Sequence, residues 1–414
     1  MIVSFFERHR IYYGWVILAV AFFTLFIVLG FRFSFGVFYV AILDETGWSR
    51  AETAGIFSTA MIVYAIFCLA AGWLFDSLGP RVLFPLGVVV FSIGIVLSST
   101  IQEIWQLYLY YGVLVGIGFS MLGFPPHMAY IPRWFLRRRG LAASLALSGI
   151  GVGSLVISMV SERAIEQVGW RNVFLAFGVG SFILLIPPIV LFYRNSPQSI
   201  GLNVDGMPLQ ATGQHLEEGP TLFQAFHDIR YWVLFLGVTM IGLGGMTLVV
   251  HQTRMLFDLG TPLLVAASMF GVTGFLRSAG GMIWGPVSDH LGSVTTLFLI
   301  GGVTILGLIL LLLFPVSPPR WVLWGFVFMW GLGLPAVAPV YATIVANNFH
   351  GRHLGKIMGT LDQGYGIGAA IGPFVAGWIF DQVGNYQMMH WLLICVTVLM
   401  VCALAYGSRP ARVT

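Results

Sequence analysis

Apolar runs of about 20 residues, the length that crosses a hydrocarbon core, follow one another along this chain with short polar connectors between them. They fall at about 11–43, 51–75, 82–101, 104–132, 141–161, 172–193, 231–257, 262–287, 293–315, 320–347, 354–380 and 386–407. Lipid offers the backbone no hydrogen-bond partner, so each run has to satisfy its own peptide groups as a helix, and the alternation of a barrel strand is absent. With 58% hydrophobic and 9% charged residues, a chain of 414 residues has too little polar surface to cover a soluble globule. The expected fold class is therefore an all-α integral membrane protein with twelve transmembrane helices. No cleavable signal is expected, because the first run is too long for a signal core and lacks a small-residue cleavage site. Cys68, Cys395 and Cys402 all lie inside runs, where packing is the expected role and a disulfide framework is not.

A repeat orders these runs. Four times an acid is followed three residues later by glycine at the end of an apolar run: Asp76 and Gly79, Glu166 and Gly169, Asp289 and Gly292, Asp381 and Gly384. The copies lie 90 and 92 residues apart within each half and 213 and 215 apart between halves. The 215-residue offset also lays Gly149, Gly151 and Gly153 on Gly364, Gly366 and Gly368. Such nesting marks four copies of one unit.

The polar stretch 195–230, rich in proline and glycine, is the one long connector. It divides the chain into an N-terminal half (1–194), a linker and a C-terminal half (231–414), with Leu222 to Ile229 expected as an interfacial helix. Thirteen Lys and Arg residues fall on the side of the N-terminus and five on the other, so the positive-inside rule puts both termini in the cytoplasm. The net charge of +4 then reflects cytoplasmic loops facing anionic lipid, and no nucleic-acid partner is needed. The first and third acid-glycine copies fall inside and the second and fourth outside. Each six-helix half is thus read as an inverted 3+3 repeat.

The stretch Gly72-Trp73-Leu74-Phe75-Asp76-Ser77-Leu78-Gly79-Pro80-Arg81 resembles the signature loop of the major facilitator superfamily, and the twelve-span plan resembles that fold along the whole chain. Trp134-Phe135-Leu136-Arg137-Arg138-Arg139-Gly140 with Gly149 and Gly153 looks like the fifth-helix signature of the monocarboxylate transporter family, and Tyr13-Gly14-Trp15-Val16 like its first-helix signature. The oxalate:formate antiporters are similar relatives. The resemblance implies latching loops on the cytoplasmic side, here Gly72, Asp76, Gly79 and Arg81 with Asp289 and Gly292. The family's Asp-x-x-x-Arg pair in the eighth span stands here as Thr273-Gly274-Phe275-Leu276-Arg277, and its first-helix lysine aligns near Val37.

Two arginines lie inside runs. Arg277 is about 15 Å from the nearer end of its span and Arg32 about 18 Å from the connector at Asp44. A guanidinium at such depth costs about 2.5–3.5 kcal/mol on insertion scales, so it calls for a cavity or a counter-ion. Its planar fork matches a carboxylate in two parallel hydrogen bonds. The bland alternatives are a fixed ion pair for Arg277 and a snorkelling or structural arginine for Arg32. Asp362, about 12 Å deep, is placed to face Arg277, either as its counter-ion or as a proton-coupling group. His251, Gln252, Tyr341, Tyr365, Phe31 and Phe35 complete the candidate substrate site, although histidines and rings on apolar helices more often serve packing. No phosphate-binding loop, metal-ligand spacing or paired carboxylates point to an enzyme, and no cofactor is expected.

The reading is a secondary active transporter of small organic anions, lactate- or pyruvate-like monocarboxylates, with protons as candidate co-substrate. It is expected to act as a monomer in a cell membrane, a bacterial inner membrane in particular. Anion exchange with Arg32 as a second anchor, export of an unrelated small molecule and a transporter-like sensor are the alternatives. Tags at residues 2, 210 and 414 are expected to be cytoplasmic, and tags at 47 or 318 are not. Labelling of position 210 from outside intact cells would overturn the orientation and the inverted repeat with it.

Overall fold

The computed structural model describes residues 12–135, 139–204, 220–349 and 354–408; connector residues 205–219 and the side chains of Asp76 and Asp289 lie outside the described residues. Its helices are α1 (Gly14–Phe33), α2 (Phe35–Thr46), α3 (Arg50–Leu78), α4 (Pro80–Ser98), α5 (Ile104–Leu107, continued by a π-helical stretch Tyr108–Val115), α6 (Gly116–Leu122), α7 (Phe124–Tyr130) and α8 (Arg139–Phe192). There follow α9 (Leu222–Phe226), α10 (Ile229–Asp258), α11 (Leu263–Leu291), α12 (Ser293–Leu313), α13 (Arg320–Leu332), α14 (Ala338–Asn348), α15 (Leu354–Val383) and α16 (Gln387–Gly407). Among the described residues, ten helical stretches are long and apolar enough to cross a membrane. One of these, in α8, joins two expected runs across a non-helical residue, Gly169, and α13 with α14 divides another run. α9 opens with a capping box in which Thr221 accepts from the Gln224 amide.

The helices pack as two compact units, one of Met1–Phe33, Val63–Ile157 and Ala164–Gly213, the other of Ser34–Ile62, Ser158–Arg163 and Gln214–Thr414. The first run therefore contributes α1 to one unit and α2 to the other.

All four glycines of the repeated motif adopt positive φ: 76° at Gly79, 77° at Gly169, 83° at Gly292 and 77° at Gly384. With ψ of 169°, 155° and 150° at the first three, this is backbone space that only glycine enters at low cost. The motif repeats because the same strained reversal is needed at each copy.

The glycine pairs related by the 215-residue offset also do the same work. A Cβ at Gly149 or Gly153 on α8 would run into the carbonyls of Phe22 and Phe26 on α1. One at Gly364 or Gly368 on α15 would meet the carbonyls of Phe235 and Thr239 on α10. Without side chains between them the two backbones of each pair approach directly, which is how small residues drive association where lipid supplies no hydrophobic force.

Breaks in the helices depart from the expected continuous runs, and their freed peptide groups find side chains. The break between α1 and α2 at Ser34 differs, since the contact there joins two side chains: Ser158 donates to the Ser34 hydroxyl at 2.9 Å. At the break before α7, Nδ1 of His127 lies 2.9 Å from the Gly123 carbonyl. Beyond α13, Trp284 Nε1 donates to the Leu332 carbonyl at 2.6 Å and the Leu334 amide donates to Thr304 Oγ1 at 2.8 Å. Prolines at 125, 126, 335 and 339 account for the second and third breaks, since each lacks a donor.

Gly72, expected to allow close helix contact, is exposed, and among the described residues nothing lies within 4 Å of a Cβ built on it. Gly72→Ala should therefore raise stability by about 0.4–1 kcal/mol by restricting the unfolded chain. Gly368→Ala should lower it by about 1–3 kcal/mol, as overpacking does. Thermal unfolding of both variants in detergent checks the pair, and equal effects would contradict the close approach of α10 and α15.

Candidate functional site

In the first unit, Arg32 stands one residue from the end of α1 and is 4% exposed. Its guanidinium carbon lies 4.6 Å from the centroid of the Tyr64 ring and 5.7 Å from those of Phe33 and Phe119. Its Nε and Nη2 are buried and, among the described residues, have no hydrogen-bond partner. Phe31 beside it stacks on Phe177 at 4.3 Å and also meets Phe174 and Phe91, so it is a ring of the unit's core. Tyr64 had no place in the sequence reading. Nothing in the sequence couples α3 to α1 at that point.

In the second unit, Arg277 is half-buried on α11, one turn beyond Thr273 and on the same face. Gln252 on α10, wholly buried, donates from Nε2 to Thr273 Oγ1 at 2.8 Å, and Thr273 donates to the Met269 carbonyl at 3.1 Å. The position that is acidic in the family resembled thus holds a neutral hydrogen-bonded pair beside the arginine.

Asp362 does not meet Arg277: among the described residues its hydrogen bond comes from the Tyr341 hydroxyl on α14, at 3.4 Å. The reason is rotational. Gly364 turns toward α10, and Asp362, two residues earlier, lies about 200° around α15. Tyr365, three residues on, is half-buried on the same helix, and Tyr341 is 7% exposed. Phe35 packs on Phe57 with ring centroids 5.1 Å apart.

His251 is wholly buried, its Nε2 lying 2.9 Å from the Pro373 carbonyl and its Nδ1 3.3 Å from the Tyr386 hydroxyl, with Tyr39 edge-on at 5.1 Å. It pins α10 to α15 and to the residue that precedes α16. Tyr386 leads on to a charged network at one end of the second unit. Arg50 Nη2 donates to Asp258 at 2.7 Å, Nη1 donates to Tyr386, and the guanidinium lies 3.4 Å from the Phe380 ring centroid. Arg254 bridges Asp258, at 3.0 Å, and Asp44. The Asp381 carboxylate accepts from the backbone amides of Arg50 and Ala51 at 3.1 and 2.9 Å, an anion seated on the N-terminus of α3.

Sequence reading missed this network, since its members are charged residues near span ends, where solvated charges are ordinary. It also missed Glu162, 1% exposed: the fifth run was expected to end at 161, but α8 continues unbroken to Gly169. Of the signature-loop residues, Gly79 and Gly292 make the turns described above, and Arg81 is exposed. Buried cationic and hydroxyl groups in apolar surroundings suit the binding and orientation of a polar solute. Among the described residues no group of three His, Cys, Asp or Glu side chains could hold a metal.

The family profile of the Major Facilitator Superfamily matches residues 21–361 and 318–414. Monocarboxylate transporter 13 of Bos taurus is 28% identical over 375 residues, covering 90% of this chain and 84% of that protein. Monocarboxylate transporter 11 of Homo sapiens is 27% identical over 402 residues, covering 90% and 78%. Among solved structures, a bacterial homolog of the human lysosomal transporter Spinster, in an inward-facing and unoccupied conformation, aligns with a TM-score of 0.69 at 16% identity. That alignment covers 96% of this chain and 94% of the other, and at such identity the likeness is one of fold. With a profile matched across nearly the whole chain and relatives distant but colinear, the chain belongs to the Major Facilitator Superfamily, a multi-pass secondary transporter of small molecules and not an enzyme.

Proposed function

We propose that this transporter carries small monocarboxylates, lactate- or pyruvate-sized, by alternating access of its two six-helix halves, 1–194 and 231–414, around a site anchored by Arg277. The observation that carries the reading is an arginine retained inside the span Leu263–Ser288, one turn beyond Thr273, whose hydroxyl accepts from the buried Gln252 amide. A guanidinium in hydrocarbon is functional by default, and its planar donors fit a carboxylate. Likeness to transporters named for monocarboxylates supports the substrate class.

Coupling to protons falls to Asp362 in this reading. A threonine hydroxyl such as that of Thr273 does not ionise in the physiological range, whereas Asp362 is a carboxylate inside a span that, among the described residues, accepts one long hydrogen bond, from Tyr341. Symport requires that substrate and proton each favour binding of the other. In this scheme a substrate anion entering near Asp362 does so by favouring its neutral form.

Uptake of labelled carboxylates into proteoliposomes, with and without an imposed pH gradient, tests the reading. Arg277→Lys keeps the charge but loses the fork, and should cut carboxylate transport by at least about tenfold, the worth of one charge-assisted hydrogen bond. Unchanged transport would reduce Arg277 to a structural cation. Asp362→Asn should still exchange substrate at equal concentrations yet fail to accumulate it when driven by pH. Accumulation by that variant would remove Asp362 from coupling and favour facilitated diffusion or anion exchange.

A further inference from the structure

The first unit holds a charge that its surroundings do not answer. Arg32 is 4% exposed inside the first span, and among the described residues no carboxylate lies within ion-pair distance of it. The faces of Tyr64, Phe33 and Phe119 give it cation–π contact, which offsets only part of the loss of water around a guanidinium. The two nitrogens left without partners are Nε and Nη2. These are the pair whose N–H bonds run side by side along one edge of the guanidinium, the edge that takes a carboxylate in two parallel hydrogen bonds. A structural arginine would have that edge occupied by a carbonyl or an acid, because a buried unpaired donor is expensive and rare.

We propose that the Nε/Nη2 edge of Arg32 is an anion-docking site, separate from Arg277, that takes the carboxylate of an organic acid whose remainder is apolar. The rings of Tyr64, Phe33 and Phe119 against the guanidinium offer contact to a hydrocarbon or aryl body, and a ligand body without polar atoms leaves none of its own unpaired among them. An arylcarboxylate is favoured over a short hydroxy acid on that ground. The proposal rests on the organic-anion reading given above and assigns it a second anchor in a different unit.

Two readouts on the purified full-length protein, with benzoate as probe, test it: thermal unfolding without ligand, and equilibrium binding of labelled benzoate in nanodiscs. Arg32→Gln removes an uncompensated buried charge, so it should raise the ligand-free Tm while weakening benzoate binding by about tenfold or more. Arg32→Lys retains charge without the fork and should also lose binding at least about fivefold. A fall in ligand-free Tm for Arg32→Gln would assign the residue a structural role and overturn the proposal. So would benzoate affinity unchanged in both variants, and if Arg32→Gln fails to fold, unchanged affinity in Arg32→Lys alone would do so. Benzoate binding that Arg277→Gln abolishes and the Arg32 variants leave intact overturns this site while sustaining the proposed function. No binding or transport of any carboxylate by the unmodified protein removes both.

Discussion

A peptide group set free inside hydrocarbon has no water to turn to, and this constraint governs the molecule from its class to its details. It forces the runs into helices, and it makes every interruption of a helix a place where a side chain must intervene. His127 at Gly123, Trp284 at Leu332 and Thr304 at Leu334 are three such interventions. Each is a polar residue in an apolar setting whose presence is explained by the backbone next to it. Interrupted helices line cavities in transporters because bends and loosened carbonyls can be tolerated only where they are answered in this way.

Side-chain charges meet the same solvent problem with different solutions. At one end of the second unit Arg50, Arg254, Asp44 and Asp258 compensate one another within short distances. One turn before Arg277, the position that is acidic in the resembled family holds Thr273, hydrogen-bonded to Gln252. Arg32 is wrapped in rings. The first arrangement is closed electrostatically and holds helix ends together, whereas among the described residues the third leaves Nε and Nη2 of its arginine without hydrogen-bond partners.

The sequence was most legible where chemistry repeats. Twelve runs, four acid-glycine motifs and the offset glycines each recur, and the structure gives each recurrence one physical cause: helix formation in lipid, positive φ at four turns, and backbone contact at Gly149, Gly153, Gly364 and Gly368. What stayed hidden depends on helix rotation and on distant pairings. Depth placed Asp362 and Arg277 at similar levels, yet depth says nothing of azimuth, and Gly364 sets the azimuth of α15. Arg50 and Asp258 are 208 residues apart, and no local pattern links them. Glu162 was lost because the fifth run was ended at 161, more than two turns before Gly169, where α8 breaks.

Asp381 has a consequence for how such a chain can arise. Its carboxylate grips the main-chain amides at the start of α3, not a side chain. Main-chain donors are present whatever residues occupy positions 50 and 51, proline excepted. An ancestral unit that ended in an acid and was duplicated would therefore carry its own fastener, able to engage the N-terminus of another helix before any complementary residue had appeared. The Arg50 side chain, with Asp258, Tyr386 and Phe380 around it, adds a hold that, unlike the acid-to-amide grip, depends on which residue stands at position 50.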